Sequence, residues 1–249
     1  MLSGYCEVLL RLEDESGPIV SPSAFTPIAE RYNFLHLIDR WVISTLFTYL
    51  GKQYQNLDGL QVQNSFGMYA VKLSVASIND DKFINFVQDQ FAISRIPPSI
   101  ICFEITENVA ITNFAKATRL IGELKALGCL FALDNFGSGM SSFAYLKNLS
   151  VDYLKIDGIF IKDIVRDPIA LLMVEAISHI ASVMKIQTIA KFVEDDAILT
   201  KLKSLGVDYA QGYSIAQPCP FEVEKLGISL RDQQSGEVSQ RKIHHGHSA

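Results

Sequence analysis

Charged and polar side chains stand at or near the ends of six short apolar segments. They are Lys72, Glu104, Asp134, Lys155, Lys191 and Gln211. Each segment is rich in Val, Ile, Leu, Phe or Tyr and predicts a strand. Any one of these polar residues alone needs no functional explanation, because the end of a strand is commonly exposed to water. If the segments are parallel strands, all six meet at one edge, where converging charges are costly unless a ligand or a metal offsets them.

The elements that must position these side chains alternate between strand and helix. Strands are predicted at Tyr5–Leu12, Met68–Ser74, Ile100–Ile105, Cys129–Asp134, Tyr153–Ile156, Gln187–Ala190 and Tyr209–Gln211. Amphipathic helices separate most of them, which indicates a parallel α/β sheet with right-handed crossovers. Seven strands without an early glycine-rich phosphate loop favour a (β/α)₈ barrel over a dinucleotide-binding fold.

Composition narrows the class of function. The chain has 249 residues, is 49% hydrophobic and has a net charge of −5. This balance indicates a globular protein and argues against binding to a nucleic-acid polymer, which requires clustered excess Lys and Arg. We find no signal peptide and no uncharged apolar stretch long enough to span a membrane. The four cysteines lack zinc-site spacing, so we expect buried thiols and a cytoplasmic location.

Several motifs together resemble the EAL domain, the family of cyclic-di-GMP phosphodiesterases. The motifs are Glu7-Val8-Leu9-Leu10-Arg11, Phe103-Glu104-Ile105-Thr106-Glu107, Ala132-Leu133-Asp134-Asn135-Phe136-Gly137-Ser138-Gly139, Leu154-Lys155-Ile156-Asp157 and Gln211-Gly212-Tyr213 with Pro218. The sequence of residues 142–157 is most similar to that of EAL domains at the C-terminus of PAS–GGDEF–EAL signalling proteins. The resemblance implies an EAL-type (β/α)₈ TIM-like barrel over residues 1–228, which we expect to lack its first strand. Residues 229–249 are then a disordered polar tail, in which His244, His245 and His247 are at most weak metal ligands.

The resemblance also implies which residues form the site. In the family, two Mg²⁺ or Mn²⁺ ions activate a water that hydrolyses cyclic-di-GMP to pGpG. Metal ligands carried over by position are Glu7, Glu104 and Asp134, and catalytic positions are Lys155, Glu194 and Gln211. Expected ligand contacts are Glu7, Leu9, Arg11, Lys72, Asp134, Lys191, Gln211 and Pro218. Residues matching a loop that couples the site to a dimer interface are Glu107, Asn135, Gly137, Ser138 and Gly139.

Three family metal ligands are replaced in this chain. Lys72 stands for an Asn, Asn135 for an Asp and Lys191 for a Glu, which makes the site about four charges more positive than the family pattern. The expected function is therefore a catalytically impaired cyclic-di-GMP receptor without a cofactor, in which Lys72 and Lys191 neutralise phosphates. Two alternatives remain, a phosphodiesterase using Mg²⁺ or Mn²⁺ and a ligand-free interaction module. A homodimer or upstream sensory and GGDEF domains are the other expected partners.

Overall fold

A computed structural model describes residues 5–13, 19–55, 67–138, 145–220 and 235–242. The side chains of residues 55 and 235–242 are not described. Of the expected features, Gly139, the three tail histidines and residues 229–234 lie outside these ranges.

The centre of the fold is a ring of strands. The strands in chain order are β1 (Tyr5–Leu10), β2 (Leu12–Glu13), β3 (Ile19–Val20), β4 (Met68–Lys72), β5 (Ile101–Thr106), β6 (Leu130–Phe136), β7 (Tyr153–Ile156), β8 (Gln187–Ala190), β9 (Tyr209–Gln211), β10 (Cys219–Pro220) and β11 (Ser235–Lys242). The strands β1, β4, β5, β6, β7, β8 and β9 are parallel neighbours in that order. Strand β11 is antiparallel to both β9 and β1 and so closes the ring.

Helices cover the outside of this ring. They are α1 (Pro22–Arg31), α2 (Leu35–Gln55), α3 (Val75–Ile78), α4 (Phe83–Ser94), α5 (Glu107–Thr112), α6 (Phe114–Ala126), α7 (Gly158–Lys162), α8 (Pro168–Val183) and α9 (Asp196–Ser204). Outward strand residues such as Val71, Phe103 and Phe131 are buried with residues of α2, α6 and α8 in one large apolar core. Burying both faces of the parallel strands accounts for their continuous apolar sequences.

The sequence predicts this architecture well. The α/β TIM-like barrel is confirmed, and the predicted Tyr153–Ile156, Gln187–Ala190 and Tyr209–Gln211 strands agree with the structure residue for residue. Residues 235–242, which were expected to belong to a disordered tail, instead form the strand β11 beside β1. Of the four thiols, Cys102 and Cys129 are buried as expected, whereas Cys219 is exposed. Among the described residues, no helix combines the length and apolar character needed to cross a bilayer.

Candidate functional site

The site is built by the two-residue period of the strands. One buried layer inside the barrel contains Tyr5, Ala70, Cys102, Ala132, Tyr153 and Ile189, with Tyr209 packed against it. Residues two positions further along a strand lie on the same face. The next layer is therefore polar and consists of Glu7, Lys72, Glu104, Asp134, Lys155, Lys191 and Gln211. The structure thus brings together all six side chains that the strand ends single out, with Glu7 as a seventh member.

A buried lysine holds two carboxylates at the centre of this layer. Lys155 is fully buried, and its Nζ donates to Oε2 of Glu7 at 2.7 Å and to both carboxylate oxygens of Glu104 at 2.8 Å. Gln211 Nε2 also donates to Oε2 of Glu7, at 2.8 Å. The Tyr5 hydroxyl donates to Oε1 of Glu104. Glu104 and Lys155 satisfy each other without solvent, as a buried ion pair must.

Two further lysines hold the third carboxylate, that of Asp134. Lys72 Nζ lies 2.9 Å from Oδ2 of Asp134, and Lys191 Nζ lies 2.6 Å from Oδ1. Lys191 Nζ also donates to Oδ1 of Asn135, at 2.7 Å. Asp134 is buried, whereas the Lys72 side chain is 47% exposed and that of Lys191 15%. Both lysine side chains are therefore more exposed than the carboxylate that they contact.

The backbone of β6 changes course where it presents these groups. The pairing register of β6 with β7 shifts between Leu133 and Phe136, which is a β-bulge. Asn135 within the bulge has a φ of 55°, in the left-handed region that Asn tolerates better than most residues. The bulge directs the carboxylate of Asp134 and the amide of Asn135 towards the same lysine, Lys191.

Burial and the three lysines set the protonation of the carboxyl groups. Burial raises the pKa of Glu104 to about 7, with Lys155 opposing and the Glu7 and Asp134 charges adding to the rise. Burial acts in the same direction on Asp134, but Lys155, Lys72 and Lys191 outweigh it and hold its pKa well below the usual value. The Lys155 ammonium is disfavoured by burial, yet Glu104 and Glu7 raise its pKa above the ordinary lysine value. At neutral pH, Lys155 and Asp134 are therefore charged.

This donor set does not fit two divalent ions. The carboxylates of Glu7, Glu104 and Asp134 each accept from at least one ammonium group. A metal at Asp134 would lie beside both Lys72 and Lys191, and hard cations require several oxygen ligands free of competing cations. Within the part of the chain that the structure describes, no three His, Cys, Asp or Glu residues are arranged to hold a metal ion.

An exposed aromatic ring lies at the rim beside Lys191. Phe192 has a φ of 58° and is 47% exposed. A Cβ atom on Gly158 would lie 2.2 Å from the Phe192 ring, so the ring rests against the start of α7. The Lys162 ammonium is 4.7 Å and the Lys191 ammonium 6.0 Å from the ring centroid. The flanking ammonium groups make this rim attractive to an anion with an aromatic portion.

The segment around Phe192 is held by main-chain contacts. Val193 N donates to the carbonyl of Gln211 at 3.0 Å, and Ser214 N donates to the carbonyl of Val193 at 3.1 Å. A Cβ atom on Gly212 would lie only 2.3 Å from Val193 N, so this close approach requires glycine. The Gln211-Gly212 pair therefore joins the strand end that carries Gln211 to the segment that follows Lys191.

A further buried carboxylate, that of Glu107, fixes the segment after β6. Glu107 is 1% exposed, and its Oε2 accepts from Gly137 N at 2.9 Å. Its Oε1 accepts from the Tyr145 hydroxyl. Ser138 Oγ donates to the carbonyl of Asn135 at 3.0 Å. The hydrogen bonds of Glu107 thus join α5 to residues on both sides of the segment 139–144, which the structure does not describe. The role of this loop in coupling the site to a dimer interface stays a prediction.

The remaining expected site residues lie outside the hydrogen-bonded cluster. Leu9 shares a strand face with Glu7, and Arg11 follows β1 and donates to the carbonyl of Leu10. Pro218 is half-buried after β9. Glu194 is exposed and makes no hydrogen bond to the cluster among the described residues. The roles of these four side chains stay predictions.

Three side chains that sequence reasoning did not select belong to the site. Tyr5 resembles an ordinary core aromatic, although its position two residues before Glu7 places it on the inner face. Tyr145 lies in a segment without periodicity. Phe192 interrupts the polar stretch after β8, and an isolated aromatic residue directly after Lys191 is the one sign in the sequence that could have identified it.

Comparison with known proteins agrees with this geometry. A family model described as the EAL domain matches residues 4–218. The cyclic di-GMP phosphodiesterase PdeB of Shewanella oneidensis is 37% identical over 215 residues, which are 86% of this chain but 24% of that protein. This chain thus spans about a quarter of that relative's length.

Solved structures with the same fold are also similar. The FimX EAL domain from Pseudomonas aeruginosa bound to c-di-GMP has a TM-score of 0.76 at 29% identity, covering 86% of this chain and 83% of that one. The Xanthomonas citri FimX EAL domain in complex with c-diGMP has a TM-score of 0.78 at 28% identity, covering 90% and 85%. The barrel, the polar layer inside it and the match over residues 4–218 together show that this chain belongs to the EAL domain family.

Proposed function

We propose that this chain binds cyclic-di-GMP without metal ions and hydrolyses it slowly or not at all. The observation that carries the proposal is the contact of two lysine ammonium groups, those of Lys72 and Lys191, with the single carboxylate of Asp134. They provide positive charge at a family site for metal ions, and a phosphodiester ligand needs positive charge there. The ligand itself is suggested by the FimX EAL domains, whose structures contain it.

The exposure of the lysines supports a role in ligand binding. Lys72 is about half exposed although its partner Asp134 is buried, so part of the Lys72 side chain is accessible to solvent. An ammonium group has three donors and contacts one Asp134 oxygen here, which leaves donors for a phosphate oxygen. Lysine binds phosphate well as a point charge. Phosphate binding therefore does not require that the Lys72–Asp134 pair be broken.

An unpaired acceptor gives the site a second recognition element. Gln211 is 7% exposed and donates to Glu7, but its Oε1 is buried and has no hydrogen-bond partner among the residues that the structure describes. A buried acceptor without a donor costs roughly 1–3 kcal/mol. The base amide and amino groups and the ribose hydroxyl of a nucleotide are suitable donors, so binding of such a ligand relieves this cost.

A metal-dependent phosphodiesterase is the second candidate. The names of relatives such as PdeB favour it, and so does the retention of Glu7, Glu104 and Asp134 next to the buried Lys155. Against it stands competition for the carboxylates, because Glu7, Glu104 and Asp134 each already accept from an ammonium group.

One incubation separates the two candidates. The full chain is incubated with radiolabelled cyclic-di-GMP in EDTA and, in parallel, in millimolar Mn²⁺ without EDTA. Bound nucleotide is measured by filter retention, and pGpG is measured by chromatography. We expect equal retention in both buffers and no pGpG. Retention only with Mn²⁺, together with production of pGpG, would refute the proposal and establish the phosphodiesterase.

A further inference from the structure

The strand β11 has an unusual place in the barrel. It lies between β1 and β9, the two ends of the parallel series. It pairs with β1 over six residues, from Tyr5 opposite Gln240 to Leu10 opposite Ser235. It pairs with β9 over three residues, Gln240 to Lys242. The β1–β9 gap is thus a groove that one antiparallel strand fills.

The sequence of β11 indicates how it is held there. Its eight residues, Ser-Gly-Glu-Val-Ser-Gln-Arg-Lys, include one large apolar side chain, that of Val238. This sequence therefore offers little apolar area for burial at about 25 cal/mol per Å², in contrast to the strand Ile101–Thr106, most of whose residues are apolar and fully buried. Main-chain hydrogen bonds remain as the principal attraction, and any extended segment can make such bonds with the edges of two strands.

The groove borders the candidate site on both sides. Glu7 of β1 lies opposite Val238, and Gln211 of β9 lies opposite Gln240. The 2.8 Å hydrogen bond from Gln211 to Glu7 therefore joins two strands that have β11 between them. Neighbouring strands are about 4.8 Å apart, so the strand in the groove sets a β1–β9 spacing of roughly 10 Å.

We propose that the groove between β1 and β9 is a strand-docking site whose occupant is this chain's own residues 235–242. Its occupant is exchangeable, and its occupation holds Glu7 and Gln211 at the spacing that the ligand requires. The docking and exchange are independent of the proposed function, whereas the effect on ligand affinity rests on it.

The first test uses the full chain with Val238→Pro and Ser239→Pro. Both residues lie opposite β1, and consecutive residues of a strand direct their N–H groups to opposite sides, so one of the two prolines removes a donor towards β1. The matched control is Val238→Thr with Ser239→Thr, which keeps both donors and the strand preference. Hydrogen exchange is measured without ligand. We expect at least tenfold faster exchange of those β1 amides that face β11, and unchanged exchange in β4 and β5. Unchanged exchange of all β1 amides would overturn the docking.

The second test uses a fluorescent peptide with the sequence of residues 233–244. It should bind the double-proline chain and return β1 exchange to the control rate, whereas the peptide carrying the same two prolines should do neither. The peptide should also bind the unaltered chain, more slowly, because β11 must first leave. If the peptide binds neither the double-proline chain nor the unaltered chain, the proposed exchange is overturned.

Ligand affinity separates this proposal from the proposed function. The double-proline chain should bind cyclic-di-GMP in EDTA at least fivefold more weakly than the threonine control. Faster β1 exchange with equal affinity would overturn the coupling to the site. If the unaltered chain binds no ligand, the proposed function fails, and the exchange measurements still decide the docking.

Discussion

Restoring the family residues at three positions should restore metal binding. The variant Lys72→Asn, Asn135→Asp and Lys191→Glu removes two ammonium groups and adds two carboxylates. A metal coordinated by Asp134 at about 2.1 Å would lie roughly 5 Å from each ammonium group, because the Nζ atoms are 2.9 and 2.6 Å from that carboxylate. At an effective dielectric of about 20, each lysine repels a dication by about 7 kcal/mol before salt screening.

Solvent exposure lowers this repulsion, since Lys72 is 47% exposed. If each lysine retains a quarter of its repulsion, the two together contribute about 3.5 kcal/mol. This energy still weakens metal binding several hundredfold. We therefore expect Mn²⁺ to bind the triple variant at least a hundredfold more tightly than the unaltered chain. The same variant should bind cyclic-di-GMP in EDTA at least tenfold more weakly, because it lacks the two ammonium groups that we propose as the partners of the phosphates.

Calorimetric titration with Mn²⁺, followed by titration with the nucleotide in EDTA, measures both effects. Lys116→Glu with Lys203→Glu, at two exposed positions on outer helices, lowers the net charge by the same four units, is the control for net charge and should change neither. Equal Mn²⁺ affinity in the triple variant and the unaltered chain would refute the electrostatic reasoning. Equal nucleotide affinity in EDTA would refute the role of the lysines in binding.

Three further experiments test the polar layer and the contacts of Glu107 beside it. Lys155→Met leaves the buried Glu7 and Glu104 without their cation and should cost roughly 3–5 kcal/mol in urea unfolding, with partial recovery when Glu104→Gln is added; no loss would contradict the ion-pair assignment. Because the pKa of Asp134 is depressed, its stabilisation is complete above the usual value of 3.8 and is lost as pH falls below it. The unfolding free energy of Asp134→Asn should therefore change less between pH 5 and roughly pH 2 than that of the unaltered chain, and parallel curves would contradict this. Tyr145→Phe removes a hydroxyl donor from Glu107 and should cost roughly 1–3 kcal/mol with faster amide exchange at Gly137; unchanged exchange there would contradict the described contact.

The two-residue period of the strands made the polar layer predictable from the sequence. The contacts within that layer were not predictable. Lys155, Glu104 and Gln211 each end or interrupt an apolar run, and parallel strands bring such ends together. Which lysine faces which carboxylate depends on register and on the bulge at Asn135, and neither has a local signature. The left-handed Phe192 depends on the close approach of Val193 to Gly212, a contact between separate segments.

Strand β11 escaped prediction for a different physical reason. Strands are found in sequences by the alternation of apolar and polar residues, which reports burial of one face. Residues 235–242 show no such alternation, because their place depends on the two strand edges beside them. The same polarity that hides the strand in the sequence underlies the proposal that it exchanges.

Calorimetric titration of cyclic-di-GMP into the full chain in EDTA tests the central claim most directly. A metal-free receptor predicts binding with a dissociation constant of about 1 μM or tighter. It also predicts an affinity that falls as salt is added, because lysines pair with phosphates. Absence of heat in EDTA, with binding recovered on addition of Mg²⁺ or Mn²⁺, would contradict the claim and return the site to metal-dependent chemistry.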